Sequence, residues 1–186
     1  MIFAGIDYSM SCPCICLHDG DQFSIDNCTF HFLTNTKKYI KSFYNGKITG
    51  HAFAEYDSDE ERYHVISNFF MGQLDNVSKV AIEAYSFGST GQVFNIGENT
   101  GLLKHKMFMF GIPFQKIAPS AVKKLGTGRG NAKKDIMYNS FVKETSLDLL
   151  KELDYNATTI GSPIGDIVDS FYICKSLLVQ TALTKS

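Results

Sequence analysis

Four carboxylates stand where a charge is costly to bury. Asp7 ends the apolar run Ile2-Phe3-Ala4-Gly5-Ile6, and Glu83 follows Val80-Ala81-Ile82. Asp166 and Asp169 lie within Pro163 to Ile173, where nearly every other residue is apolar. Desolvating an ionised carboxylate is unfavourable unless something compensates it. Asp166 and Asp169 are spaced i, i+3, so on a helix they share a face. Ser162 followed by Pro163 reads as an N-cap and first helical residue, which puts both acids in the first turns. Taken singly, each acid has a plain explanation: a first-turn acid favoured by the helix macrodipole, or a strand-end carboxylate capping nearby backbone. Together, oxygen donors from two strands and one helix are what two hard divalent cations require. Two such ions can hold a phosphodiester, activate a water and stabilise the leaving oxygen.

A phosphate ligand would also need positive charge. From Asn99 to Lys134 there are eight basic residues and no acid: Lys104, Lys106, Lys116, Lys123, Lys124, Arg129, Lys133 and Lys134. A near-neutral chain, with 18 Lys and Arg against 19 Asp and Glu, can bind nucleic acid through one such face. The alternative is a solvated helix surface. Gly126, Gly128 and Gly130 flank Thr127 and Arg129, so backbone there can approach a phosphate closely, although neither a Walker motif nor a dinucleotide fingerprint is present. Tyr85 and Phe87 follow Glu83, and an aromatic there, Phe87 before Tyr85, could stack on bases or wedge a branch point. A core position is the other reading of both.

The cysteines offer a rival metal site. Cys12, Cys14 and Cys16 would share one strand face, with His18 or Cys28 completing a zinc set. Same-face side chains are spaced ~7 Å along a strand, too far for all three to reach one ion, so buried thiols are the expected state. No histidines form a His-Glu-x-x-His array.

The elements that must carry these groups follow from periodicity. Met1 to Leu17 reads as a strand, His18 to Asp21 as a turn, Gln22 to Leu33 as a second strand, and Lys47 to Tyr56 as a third, antiparallel one. A helix begins near Asp57 to Asp59 and carries Tyr63, Ile66, Phe69, Phe70 and Leu74. Lys79 to Tyr85 is a strand, Val93 to Phe110 a helix, Ile112 to Ile117 a strand, and Ala118 to Lys134 a glycine-broken connection. Helices follow over Ala132 to Glu144 and Ile164 to Leu183. That order predicts one α/β domain over residues 1–186: an antiparallel hairpin unit with parallel strands added through helical crossovers.

A hydrophobic content of 44% with 15 Phe and 9 Tyr excludes disorder, and 186 residues suffice for one domain with a real core. No apolar run approaches the ~20 residues of a membrane span, and Asp7 interrupts the N-terminus too early for a signal peptide. Five cysteines, an odd count, fit reduced thiols and a cytoplasmic protein.

In this order, Gly5-Ile6-Asp7-Tyr8-Ser9, Ala81-Ile82-Glu83 and Gly165-Asp166-Ile167-Val168-Asp169-Ser170 resemble the RuvC-type Holliday junction resolvases. Ala118 to Lys124 and Gly128 to Lys134 resemble that family's two lysine-bearing segments. Tyr8 and Ser9 depart from the small residues usual after its first Asp, and the 39–59 and 145–161 segments have no clear counterpart, which points to a divergent, phage-type member. The resemblance implies a ribonuclease H-like mixed sheet flanked by helices and an endonuclease that resolves four-way DNA junctions. It implies two Mg²⁺ ions, replaceable by Mn²⁺, with Asp7 bridging both and Glu83, Asp166 and Asp169 completing the ligands. Lys123 or Lys134 would offset transition-state charge, and Lys104, Lys106, Lys123, Lys124, Arg129, Lys133, Lys134 and Phe87 would contact DNA. The expected partners are branched DNA and a second copy in a homodimer, with no membrane and no small-molecule cofactor; a phage-encoded member would act in the host cytoplasm. Alternatives are another nuclease of this fold, terminase-like or RNA-directed, and a non-catalytic nucleic-acid-binding module.

Overall fold

Strand alternation sorts the N-terminal residues into two layers. In β1 (Ile2–Asp7) Phe3, Gly5 and Asp7 face one side of the sheet while Ala4 and Ile6 face the other. The computed structural model describes residues 1–84 and 93–183. β1 pairs antiparallel with β2 (Cys14–Asp19), which pairs antiparallel with β3 (Cys28–Thr34). The run expected as one strand to Leu17 is thus broken between Tyr8 and Pro13. Pro13 has no N–H for a ladder; its carbonyl accepts from Leu33 N instead, and Ser9 Oγ accepts from Cys12 N to close the turn. The Asp19-Gly20 turn falls between β2 and β3, as expected.

Beyond β3, β4 (Ser42–Phe43) and β5 (Ile48–Ala52) form a short hairpin. β5 runs parallel to β3, not antiparallel as the sequence pattern suggested. The chain returns along β4 first, and that extra reversal aligns β5 with β3. α1 (Asp59–Gln73) starts on Ser58, whose Oγ accepts from Glu61 N, while Glu61 reaches back to Asp57 N. β6 (Val77–Glu83) then lies parallel beside β1, and α2 (Val93–Met109) leads to β7 (Phe114–Ile117), parallel to β6. The sheet order is β4-β5-β3-β2-β1-β6-β7, the expected antiparallel unit extended by parallel strands.

The C-terminal part is helical: α3 (Pro119–Thr127), α4 (Lys134–Thr145), α5 (Leu149–Glu152) and α6 (Ile164–Leu183). α3 occupies the connection expected to be irregular, beginning with Pro119 in its first turn and ending at left-handed Gly128, φ 77°, whose N–H donates to Lys124 O. α6 begins at Ile164, so Pro163, in a cis peptide with Ser162, precedes the helix rather than opening it. Among the described residues no helix is long and apolar enough to cross a membrane.

α1 and α2 cover one sheet face, where Ile66, Phe70, Leu103 and Met107 pack on Ala4, Ile6, Val80 and Ile82. Tyr8 turns into this layer and donates to Asn99 Oδ1 at 3.1 Å. α3, α4 and α6 cover the other face, with Val122, Phe141 and Phe171 packed against Phe3, Cys14, Cys16, Phe30 and Phe32. α6 lies directly on β1 at Gly5, where a Cβ would stand 2.1 Å from Cys174 N and 2.5 Å from Ser170 O. Small side chains line the crossing: Ser170 Oγ is 3.4 Å from Cys14 Sγ, and Cys174 Sγ is 3.6 Å from Phe3 O. All five cysteines are buried free thiols, as expected.

Gly5→Ala should therefore push α6 off the sheet, since the obstructing atoms are backbone. We expect a loss of about 3 kcal/mol or more, read by thermal or urea unfolding.

Candidate active site

Asp7 and Glu83 are the last residues of β1 and β6, two adjacent parallel strands paired up to Ile6 and Ile82. Their two ends therefore stand side by side, and both side chains belong to the sheet face that carries α6. The crossing at Gly5 brings the start of α6 over them. There Asp166 and Asp169 share one helix face, while Ile167, Val168 and Phe171 anchor the helix in the core.

The four carboxyl groups act on one another. Burial raises the pKa of Asp7 well above the usual range, and Asp166, Asp169 and Glu83 raise it further, against Lys134. Glu83 is pushed up to about 7 by burial and by Asp169, with Lys123 and Lys134 opposing. Asp169 is pushed up to about 6, chiefly by burial. Burial also raises Asp166, against hydrogen bonds from Ser162 and Cys12 and the charge of Lys134. Asp166 is only 6% exposed, and its Oδ2 has no hydrogen-bond partner. Among the described residues no Lys or Arg forms an ion pair with any of the four acids.

Lys134 opens α4, and its side chain lies across Gly165, with Nζ 3.3 Å from where a Cβ of Gly165 would be. Lys123, half-buried on α3, acts on Glu83 and Asp169. The six residues expected to perform catalysis therefore share one electrostatic site. Lys124, Arg129 and Lys133 are exposed on α3 and on the turn into α4, in the same layer. Thr127 Oγ1 donates to Lys123 O and accepts from Arg129 N, fixing that turn.

Lys104 and Lys106 are not part of this face. They lie on α2, in the layer on the opposite side of the sheet, and the Lys106 ammonium donates to Ser67 Oγ at 2.8 Å and Asn68 Oδ1 at 2.6 Å. The basic stretch spans a crossover, so the fold divides it. Phe87 and Tyr85 lie outside the described residues. Two contacts of Asp166, from Cys12 and Ser162, were missed by sequence reasoning. Cys14 pairs with Asp7 and shares its sheet face, and the alternate spacing of Cys12 and Cys14 was the available signal for the first.

No protein-family model matches the sequence, and no curated protein matches it. Solved structures do resemble the chain. Thermus thermophilus RuvC is 16% identical and matches with a TM-score of 0.60 over 98% of this chain and 97% of that one. T. thermophilus RuvC in complex with a Holliday junction substrate is 15% identical and matches with 0.62 over 97% of both chains. The chain has the ribonuclease H-like fold of RuvC. The yeast mitochondrial Holliday junction resolvase Ydc2 also matches, at 13% identity and a TM-score of 0.50, over 96% of this chain and 82% of that one.

On this RuvC fold the donor set suits hard divalent cations: four carboxylates, one with a buried oxygen left without a partner, and mutual repulsion that a cation would relieve. As the side chains are placed, no three His, Cys, Asp or Glu side chains among the described residues are grouped to hold one metal ion. The carboxylates thus share a field rather than a formed coordination shell, and the Cys12, Cys14 and Cys16 row does not form a zinc site.

The raised acids carry a stability consequence. A carboxyl whose folded-state pKa lies above its unfolded value adds stability below the unfolded pKa and loses it as pH rises through the folded one. Without divalent ions, the contribution of Glu83 should be lost between about pH 4.3 and about 7. Glu83→Gln should therefore melt higher than the parent above pH 7 in chelator, with the difference vanishing in acid. Added Mg²⁺ should raise the parent's melting temperature and leave that of Glu83→Gln little changed.

Proposed function

We propose that this chain is a divalent-metal-dependent endonuclease that resolves branched DNA, four-way junctions above all, by hydrolysing phosphodiester bonds. One observation carries the reading: Asp7, Glu83, Asp166 and Asp169 converge from two strand ends and a helix start, with Lys123 and Lys134 in their field. The four carboxylates would hold two Mg²⁺ ions, or Mn²⁺ in their place. Bound there, the ions supply Lewis acidity to the phosphate and to water. Lys134, held over Gly165, places its ammonium where charge develops on the phosphate, and Lys123 adds a second cation beside Glu83. Exposed Lys124, Arg129 and Lys133 extend the positive surface along the DNA backbone. The choice of a junction is supported by the fold shared with RuvC, which has been solved with such a substrate.

Symmetric cutting of two strands calls for two sites related by a two-fold axis, so the working unit is a homodimer. The exposed apolar run Phe108, Met109 and Phe110, each at least 65% exposed at the end of α2, supports association through that end.

The decisive assay incubates a labelled four-way junction with the protein, with and without Mg²⁺. Asp7→Asn should lower the cleavage rate by about a thousandfold or more while junction binding in chelator persists. Unaltered activity in Asp7→Asn would sink the assignment, and equal cutting of linear duplex or RNA–DNA hybrid would favour a different nuclease of this fold.

A second outcome follows from the divided basic stretch. Log affinity for the junction should fall linearly with log salt, and Lys124→Ala or Lys133→Ala should each reduce the slope by about one unit. Lys104→Ala and Lys106→Ala should leave it unchanged in anisotropy titrations.

A further inference from the structure

Two histidines meet on the sheet face opposite the carboxylates. In β3, Phe30 and Phe32 point into the layer of α3, α4 and α6, so His31 between them points to the other face, as Leu33 does. In β5, Ile48 belongs to that same first layer, so His51, three residues on, also points away from it. β5 runs parallel to β3 with Thr49 beside His31 and His51 beside Leu33, which makes the two histidines diagonal neighbours. His31 Nδ1 stands 3.2 Å from His51 Nε2. The pair is braced from α1: the His51 ring centre lies 5.2 Å from that of Phe69, which packs edge-on against Phe70 in the core. Both histidines are half-buried, so the pair keeps some contact with water.

At this distance one imidazole N–H donates to the lone pair of the other ring. Passing that proton to the outer nitrogen of the same ring leaves two lone pairs side by side. Two N–metal bonds of about 2.0–2.1 Å meeting at roughly 100° end about 3.2 Å apart. The spacing of His31 Nδ1 and His51 Nε2 is therefore that of two neighbouring ligands on one ion. Burial lowers the pKa of both rings, and His51 lowers that of His31 further, so both are neutral at neutral pH, as ligation requires. Imidazole suits zinc and nickel, whereas carboxylate oxygens suit magnesium and manganese.

We propose that His31 and His51 bind one divalent transition ion of the zinc or nickel class, with water in the remaining positions, and that this ion clips β5 to β3. The site stands apart from the carboxylate set and takes a different class of metal. On its outer side β5 pairs only with β4, two residues long, so the hairpin within the 39–59 segment is the part of the sheet that the clip would hold. An ion that binds only the folded chain adds stability by mass action.

The test uses the whole chain in excess Mg²⁺, which leaves the oxygen donors to the hard ion, and titrates Zn²⁺ or Ni²⁺. Either ion should raise the melting temperature, and chelation of the added metal should reverse the rise. His31→Gln and His51→Gln should each weaken binding about a hundredfold, because a lone imidazole loses the effective concentration that its neighbour supplies. His64→Gln and His105→Gln, at exposed positions, should leave it unchanged. In the isotopically labelled parent protein, the nitrogen signals of His31 Nδ1 and His51 Nε2 should move together as Zn²⁺ is added, a readout that needs no variant to fold. The inference is overturned if neither ion binds, if binding survives either substitution at full strength, or if Zn²⁺ moves only the signals of the other histidines.

Discussion

The backbone-to-backbone approach of α6 to β1 at Gly5 is the constraint on which the site depends. A helix can come this near a strand only where the strand has no side chain and the helix offers small ones, here Ser170 and Cys174. Two residues further along the same face is Asp7, and one turn back along α6 are Asp166 and Asp169. The contact that brings backbone to backbone therefore also brings carboxylate to carboxylate. Glu83 joins them because β6 is parallel to β1 and ends level with it.

That arrangement opposes its own stability. Burial raises the pKa of every member of the set, repulsion between the acids raises Asp7, Glu83 and Asp169 further, and the nearest cations, Lys123 and Lys134, stop short of ion-pair contact. A core built for stability alone would replace these groups with apolar ones of similar volume. On the proposed reading, such a set of carboxylates would exchange its repulsion for a bound cation. The thiols beneath, from Cys14 to Cys174, serve the packing: they are small and apolar enough to let α6 settle.

How much of this was legible in the sequence varied with the kind of signal. The four acids stood out because each interrupts or ends an apolar run, and α6 could be bounded because apolar residues dominate from Ile164 onward. The β1–β2 break was hidden because Met1 to Leu17 is mostly apolar, with Asp7 its one charge and only Pro13 and the nearby serines marking a turn. α3 was masked by Gly126 and Gly128, although Pro119 and Gly128 stand where a helix starts and stops. The parallel course of β5 depends on the two-residue strand β4, too short to leave a periodic trace. The basic stretch misled for a topological reason: a linear run of charge that passes through α2, β7 and α3 emerges on both sides of a sheet. What a single sequence could not reveal was depth, namely that Ser162 lies against Asp166.

The central claim is that four carboxylates form one cation-binding unit. Isothermal titration of Mg²⁺ or Mn²⁺ at a pH near that of Glu83, pushed up to about 7, in buffers of different ionisation enthalpy, tests it most directly. Binding should release protons, because a cation replaces those held by Glu83 and Asp169, and both binding and release should be lost in Asp7→Asn. Binding without proton release, or binding that survives Asp7→Asn unchanged, would contradict the account.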